Sequence, residues 1–327
     1  MNPQVIYLQS EFWTKLREDT SIAGLRCLMD VYDAITASFL KTDISDEVWD
    51  EDEFLVLLWK KYTSGQAEID LYEKLEIEEP EENAEDLSAV YLLNGDVSLS
   101  DSLAAQYGVL AINASDMPRK NYLFKGDGFL LKKYNKIEDN RYDKRFLQFK
   151  SQISYPCNSM ILIDPYILAK SQNIDNNLSY LLDALLPNKC LKVPFLLSIF
   201  SMVGETGDAR DGKKVYDTIV NLISALRKGL KFSLTLYAIG KSEEFHSRMI
   251  ITNNVLFSAE DGFNIFKENG QSGKNAKFDI VMPRLVGNHR QDMSNYLRWI
   301  KVTKERSAKQ PESMLWGARE NRLFDLV

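Results

Sequence analysis

His246 and Arg248 are the residues whose types and spacing are most suited to chemistry in this sequence. They stand two positions apart in the segment "EEFHSRMIITNN", and His246 is one of only two histidines among the 327 residues. Side chains two positions apart lie on the same face of a strand, and the β-branched run that follows predicts a strand here. Two cationic side chains on one strand face suit a phosphate or a phosphodiester. The alternative is a structural histidine, hydrogen-bonded as a neutral imidazole within a strand.

Other polar segments of the second half are weaker candidates for chemistry. Asp164 and Tyr166 end the predicted strand "CNSMILIDPYIL", where Asp-Pro is typical of a strand-to-turn cap. The loop "GETGDARDGKK" lacks the spacing of a phosphate-binding P-loop, and no Ser or Thr follows its lysines. Its Arg210 and Lys213 could still meet an anionic ligand. His289, in "GNHRQD", follows the last predicted strand and is interpreted as a loop histidine.

Charge is distributed unevenly along the chain. The net charge of −7 disfavours a general nucleic-acid coating function, which needs a basic surface. Acidic residues dominate residues 43–86, whereas residues 119–150 carry ten Lys or Arg and four Asp or Glu. The simpler interpretation is two solvated faces that attract each other within the fold or across a dimer. The aromatic residues interleaved in the basic stretch allow a nucleic-acid surface as the alternative.

Composition predicts a protein of the cytoplasm. Hydrophobic residues make up 45% and charged residues 27% of the chain, as in soluble globular proteins. No apolar run is long enough for a transmembrane segment, and no signal peptide is evident at the N-terminus. Cys27, Cys157 and Cys190 are odd in number and widely spaced, so we expect reduced thiols, no metal site and no cofactor.

The order of predicted elements indicates an α/β fold in two parts. In the first part, strands at "QVIYLQSEFW", "SAVYLLN" and "GVLAIN" alternate with helices at 21–40, 50–66 and 98–107. In the second part, a βαβαβββ series runs from "CNSMILIDPYIL" to "AKFDIVMP", with strands that read as buried and parallel. We therefore predict an N-terminal α/β domain at 1–117, a basic connecting segment at 118–154 and an α/β sandwich domain at 155–327.

The second domain resembles one half-domain of the phospholipase D-like superfamily. The resemblance rests on "ILIDPYIL" and "FHSRMIITNNVLFSAEDGFNIF" and covers roughly residues 157–284. It is closest to the degenerate form in the C-terminal domain of microtubule-interacting-and-trafficking proteins. In that form Asp-Pro-Tyr ends an early strand, His-x-Arg replaces His-x-Lys, and a Gly-aromatic turn follows.

The resemblance implies roles for individual residues. His246 would be the nucleophile that attacks phosphorus, and Arg248 would hold the phosphate oxygens. Asn253 stands where the family has an Asp that orients the histidine, and Asp164, Tyr166 and Asn264 would border the site. The sequence carries one such motif, so two catalytic histidines would require a homodimer, formed through this domain.

The function implied is binding or cleavage of a phosphodiester, with nucleic acid as the expected substrate. The family's range suggests a bacterial anti-phage or nucleic-acid-processing complex as the setting. The alternative is a catalytically inactive scaffold for protein assembly, in which the acidic N-terminal region docks a partner. Lipid binding also fits the subtype, but no basic amphipathic helix supports it. For the first domain, a PIN-type nuclease site is not adopted, because Gln9 and Glu11 replace the Asp expected after the first strand.

Overall fold

The structure of the protein is a computed structural model that contains two β-sheets and their connecting helices. It describes residues 4–36, 38–77, 79–80, 82–95, 97–117, 127–131, 146, 156–203, 212–239, 248–267, 276–281, 296, 298–302, 304–305 and 315–324.

The elements follow the chain in this order. The first part contains β1 (Val5–Leu8), α1 (Ser10–Glu18), α2 (Ile22–Thr36), β2 (Phe39–Thr42), α3 (Asp46–Glu51), α4 (Glu53–Thr63), β3 (Glu68–Leu71), a 3₁₀ turn (Asp86–Ser88), β4 (Val90–Leu93), α5 (Val97–Tyr107) and β5 (Leu110–Asn113). The second contains β6 (Asp127–Leu131), β7 (Ser159–Ile163), α6 (Ser171–Asn173, a π-helical stretch Ile174–Leu178, and Ser179–Leu185), β8 (Phe195–Ser201), α7 (Gly212–Leu226), β9 (Phe232–Ala238), β10 (Met249–Thr252), β11 (Leu256–Ala259), β12 (Ala276–Val281), β13 (Leu315–Gly317) and a 3₁₀ turn (Arg322–Phe324).

The first sheet is parallel throughout, with the strand order β3-β2-β1-β4-β5. Parallel neighbours need crossover connections, and the helices of the first part lie in these connections. On β1, Ile6 and Leu8 are fully buried on one face, while Tyr7 points to the other face and is half-buried. The α/β class predicted for the chain is confirmed.

Local assignments in the first part differ from the predictions in three places. The predicted first strand continues to Trp13, but the chain turns into α1 at Ser10, because Phe12, Trp13 and Leu16 share one buried helix face. Strands β2 and β3 were not predicted. Helix α2 is confirmed but ends at Thr36, and residues 39–40 of the predicted helix belong to β2. Leu25 and Met29 on α2 are about half exposed.

The second sheet is mixed, with the order β13-β9-β8-β7-β10-β11-β12-β6. Strands β7, β8 and β9 are parallel, as their continuous burial predicts. Strands β10, β11 and β12 are antiparallel, which corrects the expectation of parallel strands throughout. Strand β6 comes from the predicted connecting segment and pairs with β12, so it belongs to the second sheet.

The two sheets share a continuous hydrophobic core, and a smaller core lies on the other face of the second sheet. Gly108, with φ +65°, allows the contact between the two parts, because a Cβ there would lie 2.5 Å from the carbonyl oxygen of Cys157. Within the described ranges, no helix has both the length and the apolar character needed to cross a bilayer.

Candidate functional site

The carboxyl end of β7 and the amino end of β10 lie at the same edge of the second sheet. The two strands are antiparallel neighbours, with Met249 opposite Ile163. Asp164 follows Ile163, and Arg248 precedes Met249, so pairing of the strands brings these two charged residues together. Ligands of open α/β sheets commonly bind beyond the carboxyl ends of the parallel strands, which is where this pair lies.

Asp164 is a buried carboxylate that organises the loops around it. It is 1% exposed, and it accepts hydrogen bonds from the backbone N–H of Tyr166 at 2.8 Å and of Phe263 at 2.7 Å. Burial raises the pKa of Asp164, while these N–H donors and the charge of Arg248 act in the opposite direction and do not cancel the effect. The Asp-Pro cap expected here is therefore also a link between two loops.

Arg248 spans the site from Asp164 to solvent. Its guanidinium lies 5.8 Å from the ring centroid of Tyr166, whose side chain is about half exposed. One guanidinium N–H donates to the carbonyl oxygen of Glu260 at 3.3 Å. Among the described residues, the guanidinium has no ion-pair partner within 4 Å. Since a guanidinium has five N–H donors, donors remain that could bind an anion.

The turn after β11 fits closely against this pair. Gly262 has φ +81°, and a Cβ there would lie 2.5 Å from Cδ of Arg248 and 2.8 Å from Oδ2 of Asp164. A glycine is therefore required on both conformational and steric grounds. The resemblance included a Gly-aromatic turn in this segment, but no feature of the sequence indicated its contact with Asp164.

Two other predicted ligand-binding residues lie near this edge but have other partners. The side-chain oxygen of Asn264 accepts a hydrogen bond from Asn177 at 2.8 Å, which ties the turn to α6. Lys213 stands at the start of α7, where its ammonium pairs with Asp217 at 2.6 Å and lies over the ring of Tyr216. Neither residue has a contact with Arg248 among the interactions of the described residues.

The structure does not bring Asn253 to Arg248. The two residues flank β10 at opposite ends, about 16 Å apart at the rise of a strand. The Asn253 side-chain oxygen accepts from the backbone N–H of Asn158 and Ser159, both at 3.0 Å. Its amide nitrogen donates to the carbonyl oxygen of Leu87 at 2.6 Å and to Oδ1 of Asn158 at 2.7 Å. This amide therefore joins the two parts of the chain.

His246, Arg210 and His289 lie outside the described residues, so their predicted roles stay predictions. In the parts of the chain that are described, no three His, Cys, Asp or Glu side chains are grouped so that they could hold a metal ion.

A second polar cluster, which the sequence did not predict, lies on the first sheet. The Tyr7 hydroxyl donates to Oδ1 of Asp86 at 2.5 Å, and the Lys41 ammonium donates to the same hydroxyl at 3.1 Å. Burial and the bond to Asp86 raise the pKa of Tyr7. Burial lowers the pKa of Lys41, but bonds to Tyr7 and Glu85 outweigh it and the pKa is raised. Recognition of β2 would have revealed the cluster, since Lys41 pairs with Tyr7 in the sheet register.

The sequence matches no family model and no curated protein.

Proposed function

We propose that the protein binds a phosphodiester of nucleic acid at the edge of the second sheet where Arg248 and Tyr166 meet. The observation that carries the proposal is the state of the Arg248 guanidinium. It is fixed over an aromatic ring and near a buried carboxylate, yet among the described residues its hydrogen bonding is limited to the Glu260 carbonyl oxygen. Arginine is the residue of choice for phosphate, because its planar donors match two oxygens at once.

The proposal extends to a phospholipase D-like fold and to cleavage. The support for this extension is the βαβαββββ order of β7 to β12 and the position of Asp164 and Arg248 at one edge of that sheet. In this proposal His246, two residues before Arg248, attacks phosphorus, and a second copy of the chain supplies the second histidine. The attack forms a phosphohistidine and releases an alkoxide that the second histidine protonates; water then hydrolyses the phosphohistidine.

The test compares the wild type with Arg248→Gln and His246→Ala. Lys228→Ala is the matched control, because Lys228 is exposed beyond the end of α7, away from this edge. Binding of single-stranded DNA and RNA, cleavage, and oligomeric state by light scattering are measured on each. We expect Arg248→Gln to weaken binding by about 1.5–3 kcal/mol, the value of a hydrogen bond to a charged group, and the control to bind as the wild type does.

Cleavage by a dimeric wild type that is lost in His246→Ala would support an enzymatic function. Equal nucleic-acid binding by the wild type and Arg248→Gln would contradict the site.

A scaffold without chemistry is the second candidate function. The observation that favours it is the position of Asn253, whose amide is used in joining the two parts of the chain rather than in orienting a histidine. Binding without cleavage, in a monomer, would favour this candidate over the enzyme.

A further inference from the structure

Helix α2 carries apolar side chains on the side that faces solvent. Ile22, Leu25 and Met29 lie at helical spacing along this side, and they are 73%, 48% and 45% exposed. The other side of the helix, which includes Val31, is buried in the core. A helix that is apolar on both sides is ordinarily covered on both sides, whereas α2 is covered on one.

The exposed apolar surface of α2 continues onto α4. The ring of Tyr32 on α2 lies 5.2 Å from that of Phe54, between centroids, and 5.7 Å from the Lys61 ammonium. Leu57 and Leu58 occupy the turn of α4 between these two contacts. Because Leu58 is fully buried, the half-exposed Leu57 lies on the solvent side of Tyr32.

These four exposed side chains form what we call the α2–α4 patch: Ile22, Leu25, Met29 and Leu57. They are four of the ten large hydrophobic side chains that are exposed in the described part of the chain. Single exposed hydrophobic residues are common on soluble proteins, but a group of them on neighbouring helices is typical of a surface that contacts another molecule.

Two opposite charges stand beside this patch. Arg26 and Asp33 are the charged residues among the exposed positions of α2, and neither has an ion-pair partner among the described residues. They are seven residues apart, so they lie on the same side of the helix, about two turns from each other, with Met29 between them.

This arrangement of charges is complementary to itself. When two copies of α2 pack antiparallel about a two-fold axis near Met29, Arg26 of each copy faces Asp33 of the other. The same packing places the apolar side chains of the two helices against each other. A symmetric contact of this kind therefore satisfies both the apolar and the charged residues of the surface.

We propose that the α2–α4 patch is a self-association surface, on which a second copy of this chain packs its own α2 antiparallel. Two Arg26–Asp33 ion pairs cross the contact and fix its register. A bilayer suits the surface less well, because helices that lie on membranes have a basic polar face, whereas this face carries one charge of each sign and the chain has a net charge of −7. The proposal does not rest on the phosphodiester site.

The first test exchanges the charges in the full chain and measures dimerisation by sedimentation velocity over a range of concentrations. Arg26→Asp and Asp33→Arg each convert two attractive contacts into repulsive ones, so we expect each to weaken dimerisation by about tenfold or more. An equimolar mixture of the two variants again places opposite charges at both contacts. We therefore expect the mixture to dimerise as the wild type does, and the double variant R26D/D33R as well.

The second test places a charge in the apolar part of the contact. We expect Met29→Glu to abolish dimerisation, because two carboxylates would be buried close to the two-fold axis. Val97→Glu is the matched control, since Val97 is 42% exposed on α5, outside the patch, and this variant should dimerise as the wild type does. Circular dichroism confirms that each variant is folded.

The proposal is overturned if the wild type stays monomeric at every concentration, or if either single charge variant dimerises as the wild type does. It is also overturned if the mixture dimerises no better than its components. A dimer that persists in Met29→Glu forms through another surface, which overturns this proposal and leaves the phosphodiester site untouched. A monomer that binds phosphatidylserine–phosphatidylcholine vesicles, and loses this binding in Met29→Glu, would assign the patch to a lipid surface instead.

Discussion

The carboxylate of Asp164 connects three segments that are distant in sequence. Its oxygens accept the backbone N–H groups of Tyr166 and Phe263, and its charge acts on Arg248. A buried carboxylate is costly unless such partners satisfy it. Asp164 therefore fixes the geometry of the candidate site without having to contact a ligand.

We predict that Asp164→Asn destabilises the protein by about 1–3 kcal/mol, because the amide replaces an acceptor oxygen with a donor. The effect should depend on pH. Burial raises the pKa of Asp164 in the folded chain, so its contribution to stability is full below the unfolded pKa of about 3.9 and is lost as pH rises through the folded pKa. The advantage of the wild type over Asp164→Asn should therefore decrease as pH rises from about 4 to 7.

Urea unfolding of both proteins across this pH range measures the difference. Asp175→Asn is the control, since Asp175 is exposed on α6. An advantage of the wild type that increases with pH would contradict the predicted direction.

At the scale of elements, the turn between β11 and β12 brings backbone groups to the site. Gly262 lets this turn approach Arg248 and Asp164, and Asn177 on α6 holds the following residues by accepting from the N–H groups of Ile265 and Phe266 at 3.0 and 2.8 Å. The turn is thus part of the site's framework.

We predict that Gly262→Ala destabilises the protein by about 2–4 kcal/mol, through left-handed backbone strain and overlap with Arg248. Gly65→Ala is the matched control. Gly65 has φ +72°, but no atom lies within 4 Å of the position that an alanine methyl would take, so about 1–2 kcal/mol is expected from strain alone. Thermal or urea unfolding gives both values. Equal losses of stability in Gly262→Ala and Gly65→Ala would show that an alanine at position 262 does not overlap with Arg248.

Elements with a clear apolar pattern were predictable from the sequence, including the four-residue strands β4 and β5. Apolar residues at helical spacing located α2 and α7, and continuous apolar runs located the buried strands β7, β8 and β9, because burial of one face or of both faces imposes these patterns. Strand β3 is exposed at three of its four positions, and β2 alternates half-buried and buried positions at the end of a stretch that was predicted as helix. Only the resemblance implied that Asp164 borders the site of Arg248, because the antiparallel pairing of β7 and β10 that brings them together was not predicted. The hydrogen bonds of the Asn253 amide depend on how the two sheets pack together, and no short sequence pattern predicts that packing.

At the scale of the whole molecule, buried amides join the two sheets. The Asn158 amide donates to the carbonyl oxygens of Leu87 and Tyr107, both at 2.9 Å, and Asn253 donates to that of Leu87. Lys192 adds a backbone hydrogen bond to Gln106 at 2.7 Å. Because these bonds connect residues far apart in sequence, we expect the two parts to unfold together.

We predict that Asn253→Asp destabilises the protein by about 3–5 kcal/mol near neutral pH, because the introduced carboxylate would face two acceptor oxygens. Burial would raise the pKa of this carboxyl, so stability should recover as pH falls towards 4 and the group becomes protonated. Chemical unfolding at several pH values measures the change. A gain in phosphodiester cleavage without loss of stability would instead place Asn253 in the active site.

Thiol reactivity offers a second test at this scale. Burial raises the pKa of Cys157, which lies where the two parts meet, to about 12, whereas Cys190 is exposed. We predict rapid modification of Cys190 in the native protein and modification of Cys157 only on unfolding, followed by mass spectrometry. Comparable modification rates for Cys157 and Cys190 in the native protein would show that the two parts of the chain separate readily.

The most direct test of the phosphodiester site is photo-crosslinking of the protein to a single-stranded oligonucleotide that carries 5-iodouracil. The half-exposed ring of Tyr166 lies beside the Arg248 guanidinium and can stack on a base whose phosphate Arg248 holds. We predict a crosslink to the peptide that contains Tyr166, and its loss in Arg248→Gln but not in Lys228→Ala. Crosslinks confined to other peptides, or unchanged in Arg248→Gln, would contradict the proposed site.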